Sequence, residues 1–260
     1  MKSRVVLITG ASRGIGRATA TRLAEAGATI ALHYNANERA ANEARGALVG
    51  DSHAIFRADL SKRDAAMSLV ADVVARFGRI DALVNNAAVY EDHDLRATDD
   101  ADAWLTTLER TLDVNLVAPA ALSFHAVHAM RARADAEGRD DPFGRGRIVN
   151  VTSRGAFRGE PTAPGYAASK AGLNIFGQSL AQALANESVF VFTVAPGWVD
   201  TDMASSLRGP NGPAILRDHP LGRVATADEI ARVVAWLASD APATMTGSII
   251  DVNGASYLRT

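Results

Sequence analysis

The chain has 260 residues, 48% of them hydrophobic, enough to bury one large core, and α/β chains of this length commonly form one domain; a single domain over residues 1–260 is the expectation. A formal net charge of −2 and a pI of about 6.3 provide no broad positive field, so neither nucleic acid nor a membrane surface is an expected partner. The absence of cysteine excludes a disulfide framework, a thiolate nucleophile and a thiolate metal site, and no metal is expected. Met1-Lys2-Ser3-Arg4 leads straight into a strand pattern, with no secretory apolar segment and no apolar run of membrane-spanning length elsewhere, which reads as a cytoplasmic protein.

In chain order, the first apolar run is Val-Val-Leu-Ile at 5–8, followed by runs at 28–32, 54–56, 82–84, 148–151, 190–194 and 248–251. Runs so continuously apolar are strands buried on both faces. Between them, residues 16–26, 64–77 and 165–184 show helical spacing. This alternation predicts an α/β fold: a Rossmann-type, doubly wound parallel sheet of about seven strands with helices on both faces. Two stretches are irregular. Residues 131–147 mix Arg, Asp, Glu and Gly, and read as a solvated surface connection. Residues 200–223 combine the breakers Gly209-Pro210-Asn211-Gly212-Pro213 with Met203, Leu207, Ile215 and Leu216, the composition of a lid over a substrate.

Between the first strand and the first helix lies Thr9-Gly10-Ala11-Ser12-Arg13-Gly14-Ile15-Gly16. Glycines at 10, 14 and 16 allow a tight turn and let backbone N–H groups at a helix N-terminus approach a pyrophosphate, which predicts a dinucleotide site including Ser12, Arg13 and Ile15. The tip of the second strand, His33-Tyr34-Asn35-Ala36-Asn37, lacks the carboxylate that would accept from both adenosine ribose hydroxyls of NAD. With Arg13 in the turn, that leaves room and positive charge for a 2′-phosphate, so NADP(H) is favoured over NAD(H).

Tyr166 and Lys170 stand one helical turn apart in a chain with only four Tyr and three Lys, a coincidence of about one in twenty by chance. An ammonium beside a phenol favours phenolate, which suits a general acid/base whose unperturbed pKa of about 10 is high for work near neutrality. Taken singly, Ser153 at a strand end reads as a cap and Asn115 as a satisfier of buried backbone. Together with Tyr166 and Lys170 they read as a catalytic constellation.

On these residues, together with Asp59 and Leu60 after the third strand, Asn85-Asn86-Ala87-Ala88 after the fourth and Pro196-Gly197 after the sixth, the chain resembles the short-chain dehydrogenase/reductase family over its full length. The resemblance implies that Tyr166 exchanges the proton and Lys170 also bonds the nicotinamide ribose. Ser153 then holds the substrate oxygen, and Asn115 holds a proton-relay water. It further implies cofactor contacts at Tyr34, Asn35, Asp59, Leu60, Asn86, Ala87, Ala88, Pro196, Gly197, Val199 and Thr201. Ala88 stands where the family usually has Gly, which a negative φ would accommodate. Family character is nearest to 3-oxoacyl-[acyl-carrier-protein] reductases, from the glycine turn, the 196–203 segment and Pro220-Leu221-Gly222-Arg223, and it implies a homo-oligomer, commonly a tetramer. An NAD(P)-dependent sugar or secondary-alcohol dehydrogenase is the alternative enzyme. A nucleotide-sensing protein without turnover is the alternative from another class, and the intact Ser153, Tyr166 and Lys170 argue against it. Arg154 and Arg158, just past Ser153, are candidates for drawing an anionic substrate group to the pocket mouth.

Overall fold

The computed structural model describes residues 1, 3–134, 142–204, 212–217 and 219–259. Its strands are β1 (Val5–Ile8), β2 (Thr29–Tyr34), β3 (Ala54–Arg57), β4 (Ala82–Asn85), β5 (Gly146–Val151), β6 (Val189–Pro196), the two-residue β7 (Val199–Asp200) and β8 (Ala225–Thr226), and β9 (Ile249–Val252). Seven of them form one parallel sheet in the order β3-β2-β1-β4-β5-β6-β9, and β7 pairs with β8 apart from it. The order reverses between β1 and β4, the crevice where doubly wound sheets bind ligands at their carboxyl ends.

The helices are α1 (Gly14–Glu25), α2 (Glu38–Gly46), α3 (Ala65–Phe77), α4 (Ala101–Leu112), α5 (Ala118–Ala134), α6 (Gly155–Arg158), α7 (Pro164–Leu184), α8 (Gly212–Arg217) and α9 (Ala227–Ser239). Alternation along the strands sends Val6 and Ile8 to one face, against Leu23 of α1 and Ile230, Val234 and Leu237 of α9. Val5 and Leu7 go to the other, against Leu69, Val70 and Val73 of α3 and Leu122 and Met130 of α5. Local chemistry fixes the helix ends: Thr226 and Glu229 form a capping box at α9, and Gly78 closes α3 at φ 74°. No helix among the described residues is long and apolar enough to cross a membrane.

All seven strands expected for the sheet are present, with ends shifted by one or two residues, as are the three helices read from spacing. The sequence reading has no counterpart to α4, α5 or the π-helical segment Asp113–Val117 that joins them. In α5 the apolar residues fall all round the helix, with Leu122 and Met130 buried and Phe124 exposed, so no single stripe announces it. The solvated connection expected over 131–147 is corrected at both ends. Helix α5 extends to Ala134, and Arg147 is a strand residue only 2% exposed; residues 135–141 lie outside the described residues. Of the expected lid, 205–211 and 218 also lie outside them, while 212–217 form the short α8.

Arg147 stays buried because its guanidinium is caged by carbonyls: Nη1 donates to Leu237 and Ala241 at 3.1 and 2.9 Å, where α9 ends, and Nε donates to Phe143 at 3.2 Å. The negative end of the helix dipole and the Phe143 ring, 4.9 Å away, complete the site. Replacing Arg147 with Met strands those carbonyls, and we expect Arg147→Met to lower unfolding stability by about 2–4 kcal/mol in a urea titration.

Candidate active site

The site grows from the end of β1. The Thr9 hydroxyl donates to the Val84 carbonyl at 3.3 Å and accepts the N–H groups of Asn86 and Ala87, each at 2.9 Å, locking the β1 and β4 ends together. Asn86 returns the contact, its Nδ2 donating to the Thr9 carbonyl at 2.8 Å. Gly10 and Gly14 adopt φ of 65° and 55°, and a Cβ on Gly16 would run into the Gly10 carbonyl oxygen and come within 2.6 Å of Asn86 Nδ2. Helix α1 then starts with Arg13 at its N-cap, no side-chain cap bond and no acidic residue in its first turn. Its N–H groups and the positive end of its dipole face a cleft of about 740 Å³, a fit for a pyrophosphate.

Every residue expected to touch the cofactor lines this cleft except Gly16, whose part is the close approach just described. Ala88 is not among the non-glycine residues at positive φ, so its methyl is accommodated. At the adenosine end, Tyr34, Asn35 and Asn37 line the wall without a carboxylate; Glu38, the first acid after β2, opens α2 and does not line the cleft. Arg13 is exposed and only loosely paired with Asp202, at 3.8 Å. Asp59 Oδ1 accepts from the Ser61 N–H and hydroxyl at 3.1 and 2.7 Å, bonds that hold its carboxyl below the usual range. His33, not expected as a site residue, braces the turn: Gly10 N–H donates to its Nδ1 at 3.1 Å, so Nε2 bears the proton and donates to the Ala58 carbonyl at 3.0 Å. Burial lowers its pKa and keeps it neutral. Its signal was its place at the end of β2, one strand from the turn.

At the other end of the cleft, β5 delivers Ser153 and α7 delivers Tyr166 and Lys170. Ser153 and Tyr166 line the same stretch of the cleft, Ser153 drawing the Tyr166 pKa down, and Ser153 Oγ accepts the Gly155 N–H at 3.0 Å. Lys170 is 2% exposed; its Nζ donates to the Val151 carbonyl at 2.9 Å and lies 5.8 Å from the Tyr166 ring centre. The expectation that the ammonium draws the phenol toward phenolate is corrected here. Burial pushes Tyr166 up to about 12, against the pull of Ser153, and the same burial lowers Lys170 to about 8. Tyr166 therefore holds its proton near neutrality, the state of a general acid.

Asn115 does not line the cleft. It is buried in the π-helical segment, where its Oδ1 accepts the Val89 N–H and its Nδ2 donates to the Val89 carbonyl, both at 2.9 Å, with a further bond to Ser169 Oγ at 3.2 Å. Its side chain is thereby committed to holding the loop after β4 against α7. Arg158 does not line the cleft either, and pairs with Glu160 at 3.8 Å. Arg154 does line it, although it is only 4% exposed and its Nη1 points to the Ser256 carbonyl at 3.5 Å. Sequence reasoning missed Tyr90, Asp92, Glu160 and Trp198 on the cleft wall, because nothing in their spacing marks them.

A family model described as enoyl-(acyl carrier protein) reductase matches residues 10–255. Nodulation protein G of Rhizobium sp. (strain N33) is 38% identical over 98% of this chain and 97% of its own length. Acetoacetyl-CoA reductase of Allochromatium vinosum is 34% identical over 98% of this chain and 99% of its own, and the 3-oxoacyl-[acyl-carrier-protein] reductase of Escherichia coli (strain K12) is 35% identical over 99% and 98%. Among solved structures, a short chain dehydrogenase from Burkholderia cenocepacia J2315 in complex with NADP is similar at a TM-score of 0.86 and 30% identity, covering 98% of both chains.

The contact at Gly16 leads to a direct test. The added methyl of Gly16→Ala must push α1 away from the β1 end, so we expect a dinucleotide to bind at least about ten-fold more weakly by fluorescence titration, with the fold retained.

Proposed function

From the premise that the chain belongs to the short-chain dehydrogenase/reductase family, and is an NAD(P)-dependent oxidoreductase, we propose that it reduces a carbonyl compound with NADPH, a 3-oxoacyl thioester being the first substrate to test. The observation that carries this reading is the proton-bearing Tyr166, sharing its cleft wall with Ser153 and one turn from Lys170, in the cleft that opens at the bare N-terminus of α1. The relatives named for acetoacetyl-CoA and 3-oxoacyl reduction support the substrate class. Support for NADP(H) comes from the carboxylate-free tip of β2, from Arg13 beside it, and from the NADP complex of the structural relative.

The cofactor would supply the hydride to the carbonyl carbon. This chain's residues would do the rest. Ser153 and Tyr166 bind the carbonyl oxygen, stabilising the charge that develops there, and the Tyr166 hydroxyl delivers its proton to that oxygen as the C–O double bond becomes single. Lys170, fixed by the Val151 carbonyl, supplies positive charge to the phenolate left behind. The exposed Phe124 of α5 and Ile175 of α7 fit a homo-oligomer.

Two measurements test the reading. Purified protein should oxidise NADPH faster than NADH when an acetoacetyl thioester is added, and Tyr166→Phe should lower turnover by about 10²–10⁴-fold while dinucleotide binding persists. Full activity in Tyr166→Phe, or preference for NADH, would overturn the corresponding part. A matched enoyl thioester separates carbonyl from alkene reduction. Because Lys170 is lowered to about 8, it loses its charge as pH rises through that value, and reduction should slow on the alkaline side of a pH–rate profile.

A further inference from the structure

Glu160 is the one half-buried carboxylate on the cleft wall that the proposed chemistry does not use. After α6, Gly159 turns the chain at φ 77° and brings Glu160 back over Gly155, where its Oε1 lies 2.6 Å from the position a Cβ would occupy. Only the missing side chain at 155 allows this approach. The Gly155 N–H is itself bound to Ser153 Oγ, so Glu160 sits over the backbone that holds the substrate-binding serine. It lines the same cleft as Ser153 and Tyr166, and its charge contributes to the upward push on the Tyr166 hydroxyl.

The Glu160 side chain is 18% exposed, yet among the described residues its carboxylate accepts no hydrogen bond, and its ion pair with Arg158 is loose at 3.8 Å. Burial raises its pKa against the opposing charges of Arg158 and Arg154. A carboxylate in that position has acceptor capacity that something entering the cleft can use. Charge narrows what that is. An anion would meet the carboxylate itself, and a cation would meet the two guanidinium groups that flank it. A neutral hydrogen-bond donor is opposed by neither. On the facing wall, Tyr90 packs edge-on against Tyr166 at 4.9 Å between ring centres, and nearby the Thr162 hydroxyl donates to Asp92 at 2.9 Å. The substrate end is therefore polar on both sides.

Resting on the reductase reading, we propose that Glu160 is a specificity-determining residue that accepts a hydrogen bond from a substrate hydroxyl close to the reacting carbon, so that the enzyme favours hydroxylated ketones over their unsubstituted counterparts. The test compares kcat/KM, by NADPH oxidation, for butan-2-one, 1-hydroxybutan-2-one and 4-hydroxybutan-2-one, with acetoacetyl thioester as a further carbonyl substrate. In the wild-type protein at least one hydroxyketone should exceed butan-2-one by about ten-fold or more, the advantage of a hydrogen bond to a charged acceptor. Glu160→Leu should bring that ratio close to one, and the near-isosteric Glu160→Gln should leave an intermediate value. Because the Glu160 charge also bears on Tyr166, absolute rates are expected to move and the ratio is the diagnostic quantity. A wild-type ratio near one, or a ratio unchanged in Glu160→Leu and Glu160→Gln, would overturn the proposal while leaving the reductase reading intact. Failure to reduce any of the four compounds, despite dinucleotide binding, would overturn the reductase reading and this role with it.

Discussion

The carboxyl edge of the sheet depends on how closely α1 can approach the ends of β1 and β4. Gly16 lies against the Gly10 carbonyl and Asn86, and the Thr9 hydroxyl takes two N–H groups from the loop after β4, so strand, turn and helix form one tightly packed joint. A methyl group is too large for it. The joint leaves the first N–H groups of α1 unpartnered by side chains at the point where the strand order reverses, which is where a phosphate can satisfy them. Parallel pairing then carries β5 and β6 to the same edge, placing Ser153 and Pro196 in line with that turn.

The opposite end of the cleft is held from behind. Asn115 fastens Val89 through both amide atoms, and His93 fastens the next part of the same loop to α7: Gly165 N–H donates to His93 Nε2 at 2.8 Å, so Nδ1 bears the proton and donates to the Glu91 carbonyl at 2.8 Å. Trp104 Nε1 donates to the His93 carbonyl at 2.7 Å, adding α4 to the clamp. Gly165 immediately precedes Tyr166, and the rings of Tyr90 and Tyr166 touch across this junction. The orientation of Tyr166 is thus set by contacts behind the cleft wall, among them His93 and Trp104, which do not line the cleft.

What was legible in the sequence follows from period and from rare residues. Val5 to Ile8 and the later buried strands announce themselves because both faces are covered, and Tyr166 with Lys170 stands out because both residue types are scarce. Helix α5 was hidden because it lacks one apolar stripe, and the π segment because an extra residue in a helical turn leaves no mark in composition. Arg147 was hidden by its charge: partners distant in sequence, the carbonyls of Leu237 and Ala241 among them, explain its burial. Glu160 was hidden because its position depends on the absent side chain of Gly155 and on the turn at Gly159. Long-range contacts of this kind have no period to read.

The protonation of Tyr166 and Lys170 is governed by their burial. Loss of water pushes the phenol up to about 12, with Glu160 and Tyr90 adding to the push, and the same loss lowers the amine to about 8. In this balance the uncharged tyrosine is the resting form. Any positive charge arriving beside Tyr166 in the cleft would pull the phenol down, and a neutral group there would not. Burial that is unfavourable for each charged form alone thus keeps the phenol protonated and brings the amine within reach of neutrality, and only a charge placed beside them would change that balance.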